Sequence, residues 1–418
     1  QVVKAGLPYT TRIVIRRPRK RNRFNGTVYL DILNATRGFD SDVTWQYTAQ
    51  AIIDEGAIYV GMTSKANTIN WLRDEFGKPP LKERNASRYA ALLMTNNGQV
   101  WDMLSQTAAL MKAEGNPVNP LSKFNVERII LTGYSQSAGY VKTYLNSFHR
   151  DAILADGRHA IDGYFEGAGS FGSKTPNPLG LTGEFNPAGD PRNMSIVPVP
   201  APVIRFQTET EVNTFFQSLR TRQTEADSPM VRNYEMAGGA HVDGHLVQLE
   251  VQQNEEELGI DTAVECNPHP TTLRTEYVHS ALLVHLDRWL RNGTTPPPSR
   301  QISLIINSTG KRVIEKDDNG NTIGGVRMPQ LDVPTGKWSG VGPNLFCVLG
   351  GSYVPYSDQE IAAKYPLKGI YQRKMYRAIR KVYAEGFLLP RAVWELYLET
   401  KSTPIGRGSR ESNRNGKR

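Results

Sequence analysis

The sequence is poor in cysteine: of 418 residues only Cys266 and Cys347 are of this type. Two thiols so far apart exclude a zinc cluster and a small disulfide scaffold. They leave either a single disulfide or two buried thiols, and sequence spacing does not decide between them. Long apolar runs are missing too. No stretch approaches the ~18 uncharged apolar residues of a spanning helix. Runs such as Ala281–His285 and Ile129–Leu131 are short enough to be core, so no membrane partner is expected. There is no internal repeat. With 39% hydrophobic and 22% charged residues, the chain falls among ordinary globular proteins. Its length suffices for a sizeable core.

An excess of one charge sign is missing over most of the chain, although the net value is +9. Arg16, Arg17, Arg19, Lys20, Arg21 and Arg23 stand together with no acid between them, and the tail from Gly406 to Arg418 adds a net +4. The remainder is close to neutral. A nucleic-acid reader shows a broad basic face and a recognisable motif. No such motif is present, so no nucleic-acid partner is expected. The basic segments read as a solvated hairpin and a disordered tail over 406–418. The first residue is Gln1 rather than Met, which points to an upstream segment removed as a signal peptide or left out in cloning. Sequons at Asn34, Asn85, Asn193, Asn292 and Asn307 add a weak lean toward a secreted or periplasmic protein over a cytoplasmic one.

What is abundant is alternation of strand and helix patterns. Thr11–Arg16, Thr27–Leu33, Ala57–Met62, Val126–Leu131, Ala160–Phe165, Val203–Gln207 and Val231–Met236 read as strands. Between them, residues 69–114 and Ser137–Phe148 carry helical patterns, and Glu276–Arg291 is an amphipathic helix stopped by Gly293 and Pro296–Pro298. The alternation predicts an α/β fold with a mostly parallel central sheet flanked by helices. The Gly-, Pro- and Asn-rich stretch 167–202 breaks the pattern and reads as an insertion over the sheet edge or the active site. Residues 1–298 would form the core. Residues 299–405 would add a hairpin (Gln301–Ile306 with Arg312–Glu315) and a helical region over 358–400, packed on that core.

The sharpest motif is Gly133-Tyr134-Ser135-Gln136-Ser137, directly between a strand and a helix. A nucleophilic serine needs such a tight turn to expose its Oγ above the sheet, with small residues two before and two after. Gly133 meets this. Ser137 stands where a second glycine is usual, and Ala138 and Gly139 keep the helix entry thin. The N–H of Gln136, at the helix N-terminus, would be one oxyanion donor.

A serine nucleophile needs a base, and the base an orienting carboxylate. The strand Val203–Gln207 runs into Thr208-Glu209-Thr210-Glu211. Glu211 occupies the usual turn position for the acid, with Glu209 as the alternative. Val231–Met236 then runs into Ala237-Gly238-Gly239-Ala240-His241, a glycine-rich loop from which His241 can reach back over Ser135. His241 and His245 have the spacing of a helical zinc pair. Val242 replaces the glutamate such a site requires, and three glycines argue against a helix, so no metal is expected.

These residues resemble the alpha/beta hydrolase domain-containing proteins, a branch of the serine α/β-hydrolase superfamily. The likeness runs from about Pro8 to about Pro404. It is carried by Tyr9-Thr10-Thr11-Arg12, Phe24-Asn25-Gly26-Thr27-Val28, Leu33-Asn34, the Gly133–Ser137 elbow, Thr208–Glu211, Ala237–His241, Leu286-Asp287-Arg288-Trp289-Leu290 and Gly324-Gly325-Val326-Arg327. The resemblance implies an α/β-hydrolase fold and a serine hydrolase with Ser135, Glu211 or Glu209, and His241 as its triad. It also implies a second oxyanion donor from a backbone N–H near Asn34 or Ala35. The expected reaction is cleavage of a small-molecule ester through an acyl-enzyme, with no cofactor. An acyltransferase, lactonase or lyase with the same triad, or a non-catalytic binding module, are the competing readings. Phe171, Phe185, Trp71, Tyr89 and Trp101 are the aromatic candidates for a substrate pocket, or else core.

Overall fold

The computed structural model describes residues 5–169, 196, 199–215, 229–263, 265–343 and 347–405. The insertion expected at 167–202, with Phe171 and Phe185, lies for the most part outside these residues, as does the tail 406–418.

Seven strands form one sheet: β1 (Ile13–Arg16), β2 (Thr27–Ile32), β3 (Ile58–Met62), β4 (Arg128–Tyr134), β5 (Gly163–Gly167), β6 (Val203–Thr208) and β7 (Val231–Met236). Their order is β1-β3-β2-β4-β5-β6-β7, and every pairing is parallel except β1 with β3. Strands β2 to β6 are buried along their whole length apart from Arg128, as expected for a parallel sheet covered on both faces. The residues alternate between two cores. Val28, Leu30 and Ile32 of β2 face one core, while Tyr29 faces the other.

Helices α1 (Val43–Glu55), α2 (Ala66–Asp74), α3 (Val100–Lys112), α4 (Gln136–Ser147), α5 (Gly244–Leu258) and α6 (Thr275–Asn292) follow or connect these strands. Leu104 of α3 and Val141 of α4 pack on the Val28 side. Ile52 of α1 and Leu282 of α6 pack on the Tyr29 side. The helical pattern over 69–114 is two helices, not one. Gly77 has φ +77° and its missing Cβ would press on Arg84, and Pro79-Pro80 cannot continue a helix, so the chain turns between α2 and α3. No helix among the described residues is long and apolar enough to cross a membrane.

The basic run does not form a hairpin with the next strand. β1 is only half-buried and takes the sheet edge beside β3, which separates it from β2. Arg17, Arg19, Lys20, Arg21 and Arg23 are exposed in the turn that follows β1. This turn precedes β2, so it lies at the N-terminal ends of the parallel strands. Arg16 is tied down by Asp42 at 2.7 Å and over the Trp45 ring at 4.6 Å, and Arg17 lies over the Phe124 ring at 5.1 Å.

The C-terminal segment holds β8 (Leu304–Ile306), β9 (Arg312–Ile314), α7 (Pro329–Asp332), β10 (Gly336–Ser339), β11 (Ser352–Pro355), α8 (Asp358–Lys364), α9 (Lys368–Ala384) and α10 (Pro390–Ser402). Ile302, Val326, Trp338, Ile379 and Leu396 share one core with Phe206, Tyr234 and Leu282. Arg300 and Val326 bond along the outer edge of β7, which covers an otherwise open sheet edge.

Cys266 and Cys347 are joined in a disulfide, 81 residues apart in sequence. It ties the loop between α5 and α6 to the turn between β10 and β11. Closing so long a loop removes much denatured-state entropy. A Cys266→Ser/Cys347→Ser variant is expected to lose about 2–4 kcal/mol in urea unfolding. Reductant should weaken the wild type by the same amount and leave the variant unchanged. Equal stability of the two proteins without reductant would contradict this.

Candidate active site

Ser135 sits at the turn from β4 into α4 with φ 60° and ψ −123°, a conformation rare for a residue with a side chain. The turn is close enough that a Cβ on Gly133 would meet the main chain of Ser137 at 2.7 Å. Ser137 is itself fully buried and its Oγ donates to the Leu33 carbonyl at 3.3 Å. A side chain is tolerated there because it points toward the end of β2. The Ser135 N–H donates to the Gly167 carbonyl at 2.8 Å, and its own carbonyl accepts from Ala138 N–H at 3.0 Å.

In a parallel sheet the loops after β4, β6 and β7 open on one edge, and here they converge. His241 Nε2 lies 2.8 Å from Ser135 Oγ. Its Nδ1 lies 2.7 Å from Glu211 Oε1. The other oxygen, Glu211 Oε2, accepts from the N–H of Thr208 at 2.6 Å and from its hydroxyl at 2.7 Å. Glu211 is almost fully buried, so its orientation is set by these three donors.

Glu209 turns the other way. Its Oε2 accepts from Gly238 N–H at 2.6 Å and Thr322 Oγ1 at 2.5 Å, and its Oε1 pairs with Lys316 Nζ at 2.9 Å. It anchors the histidine loop to the C-terminal segment, and none of these partners is His241. Of the two glutamates, only Glu211 meets the imidazole.

Asn34 does not offer a free backbone donor. Its N–H bonds the Ser41 carbonyl at 2.9 Å, and its Nδ2 donates to the Tyr134 carbonyl at 3.0 Å. The loop turns back on itself at this bridge, which occupies the amide expected to face the serine. The side chain braces the elbow instead, and a buried amide so engaged cannot carry a glycan. Ala35 is also buried, and its N–H enters no hydrogen bond among the described residues. The N–H of Gln136 opens α4, where the first amides have no intrahelical acceptor.

The alpha/beta hydrolase domain family matches residues 1–397. The chain belongs to this family. No curated protein matches it. Among solved structures, an alpha-beta serine hydrolase homologue from Coxiella burnetii is similar at 14% identity, over 57% of this chain and 86% of that one, with a TM-score of 0.33. A carboxylesterase from Lactobacillus plantarum is similar at 12% identity, over 62% of this chain and 100% of that one, with a TM-score of 0.34. An a/b serine hydrolase without lid from Xanthomonas campestris is similar at 12% identity, over 63% and 100%, with a TM-score of 0.34. At these values none of the three bears on substrate.

Other side chains complete the surroundings of Ser135, His241 and Glu211. The Tyr134 phenol donates to the His241 carbonyl at 2.8 Å. Burial first, and then the nearby Glu211 carboxylate, push its pKa well above the usual tyrosine value, so it stays a donor. Beneath it lies His279, fully buried and stacked on Phe165 at 4.8 Å. Burial lowers the His279 pKa to about 3, which keeps the ring neutral and makes it a packing group. His285 packs likewise, half-buried, with Nε2 2.8 Å from the Gly386 carbonyl. His245 does not pair with His241. Asp243 caps α5, so His245 is helical and His241 is not, and His245 Nε2 faces Glu276 at 2.8 Å. Trp101 is core, stacked on Phe148 at 5.3 Å. Trp71 and Phe76 line a cavity of about 200 Å³ beside the Asn34–Asp42 loop, and Tyr89 packs behind Phe76.

The position of Glu209 generates a test. A Glu209→Gln variant places an amide among three donors and removes the charge opposite Lys316. It is expected to lose about 1–3 kcal/mol of stability in urea unfolding. An unchanged midpoint would show that this anchor contributes nothing.

Proposed function

We propose that this protein is a serine ester hydrolase with Ser135 as nucleophile, His241 as general base and acid, and Glu211 as the orienting carboxylate. The observation that carries the reading is the unbroken relay of contacts, 2.8 Å from Ser135 Oγ to His241 Nε2 and 2.7 Å from Nδ1 to Glu211. Both are within the reach that proton transfer requires.

In the first half-reaction, His241 Nε2 takes the Ser135 proton as Oγ attacks the ester carbonyl. The oxyanion is held by the N–H groups of Gln136 and Ala35. The tetrahedral adduct collapses to an acyl-serine, and His241 passes its proton to the leaving alcohol. Water then repeats the sequence, with His241 as base, and releases the acid. Glu211 fixes the ring orientation and stabilises the imidazolium. All protons are carried by side chains, so the cycle needs neither metal nor organic cofactor. A small-molecule ester is the substrate class. The disulfide favours an oxidising compartment, in keeping with secretion.

A fluorophosphonate should add once to the wild type, read by intact mass, and not to Ser135→Ala. Turnover of p-nitrophenyl esters should fall by about 10²–10⁴-fold in Glu211→Gln, because the imidazole loses its orienting charge. A folded protein that takes no adduct would sink this reading.

A further inference from the structure

The main chain of His241 is held at both ends by side chains that acyl transfer does not use. Its N–H donates to Thr210 Oγ1 at 3.0 Å. Its carbonyl accepts from the Tyr134 phenol at 2.8 Å. Tyr134 immediately precedes Ser135, and Thr210 immediately precedes Glu211. The three relay residues are therefore joined twice. One set of links runs through the imidazole, and the other runs through the His241 peptide groups by way of the residue before each partner.

Both holding groups are themselves fixed. Thr210 is fully buried and its hydroxyl hydrogen goes to the Gly340 carbonyl, so a lone pair is left for His241 N–H. Gly340 approaches so closely that a Cβ there would meet Glu209 Cβ at 2.5 Å. The Tyr134 ring is wedged between Tyr47 at 5.5 Å and His279 at 5.7 Å. His241 needs this support. It lies on a loop with two adjacent glycines, and Gly238 has φ +66°. A small main-chain rotation there would pull the imidazole off Ser135 and Glu211 together.

We infer that Tyr134 and Thr210 are positioning residues that lock the His241 main chain, and that the C-terminal segment completes the lock through Gly340. This rests on the reading of Ser135, His241 and Glu211 as the triad. A hydroxyl that only filled space would be replaceable by an isosteric methyl without cost to turnover.

The test compares Tyr134→Phe, Thr210→Val, Thr210→Ser and the Tyr134→Phe/Thr210→Val pair with the wild type. Turnover of p-nitrophenyl acetate, the rate of fluorophosphonate addition and the thermal midpoint are measured for each. Removing either hydrogen bond is expected to lower kcat by about threefold to tenfold, with KM within about twofold. Thr210→Ser keeps the hydroxyl and should return most of the loss. The double variant should lose more than the product of the single losses, because each contact partly covers for the other. Fluorophosphonate addition should slow in parallel, since it needs only Ser135 and its base. Unchanged kcat with a lowered midpoint would make both residues merely structural and overturn the inference, as would Thr210→Ser as impaired as Thr210→Val. Tyr134→Phe removes one oxygen from a folded core and decides the case even if Thr210→Val fails to fold. A wild type that takes no adduct at Ser135 would instead overturn the triad reading, and this inference with it.

Discussion

The site depends on one strained peptide. Ser135 is held at a positive φ that costs a residue with a side chain about 1–3 kcal/mol. Such a conformation persists only if its surroundings leave no alternative. Here Gly167 and Ala138 take up the Ser135 main-chain groups, and Asn34 fixes the carbonyl before it. The near-contact of Gly133 with Ser137 admits no Cβ at the first position. The result is an Oγ raised above the sheet edge and pointed at an imidazole.

That imidazole depends in turn on chain far from it in sequence. The C-terminal segment shares its core with β6, β7 and α6, and it reaches the loops after β6 and β7 through polar side chains. Lys316 and Thr322 take Glu209, and Gly340 takes Thr210. Leu349 and Gly350, in the turn held by the disulfide, bond Val242 and Thr271 beside the histidine loop. The segment 299–405 forms an outer wall beside the loops that carry Glu211 and His241. Two glutamates two positions apart thus have different tasks, because successive positions in the turn face different neighbours. Glu211 faces the imidazole and Glu209 faces the cation.

The molecule is polar in the sense of its sheet. Parallel strands put Ser135, Glu211 and His241 just past their C-terminal ends. The exposed arginines of the turn before β2 lie at the other pole.

Local chemistry was enough to locate the strands, the elbow and the histidine loop. Strand periods, the glycine before Ser135 and the glycines before His241 are properties of neighbouring residues, so the sequence by itself determined the fold class and the Ser135 and His241 positions. It failed where the signal was diluted. The 69–114 pattern ran across a Gly77 and Pro79-Pro80 turn, and α5 was hidden in a polar stretch with few apolar residues. Only the tertiary structure brought Glu211 rather than Glu209 to the imidazole, engaged the Asn34 amide, joined Cys266 to Cys347, and placed Tyr134 and Thr210 on the His241 main chain. Each of these is a contact between segments distant in sequence. Its geometry is set by how the strands stack side by side, and no run of adjacent residues encodes that.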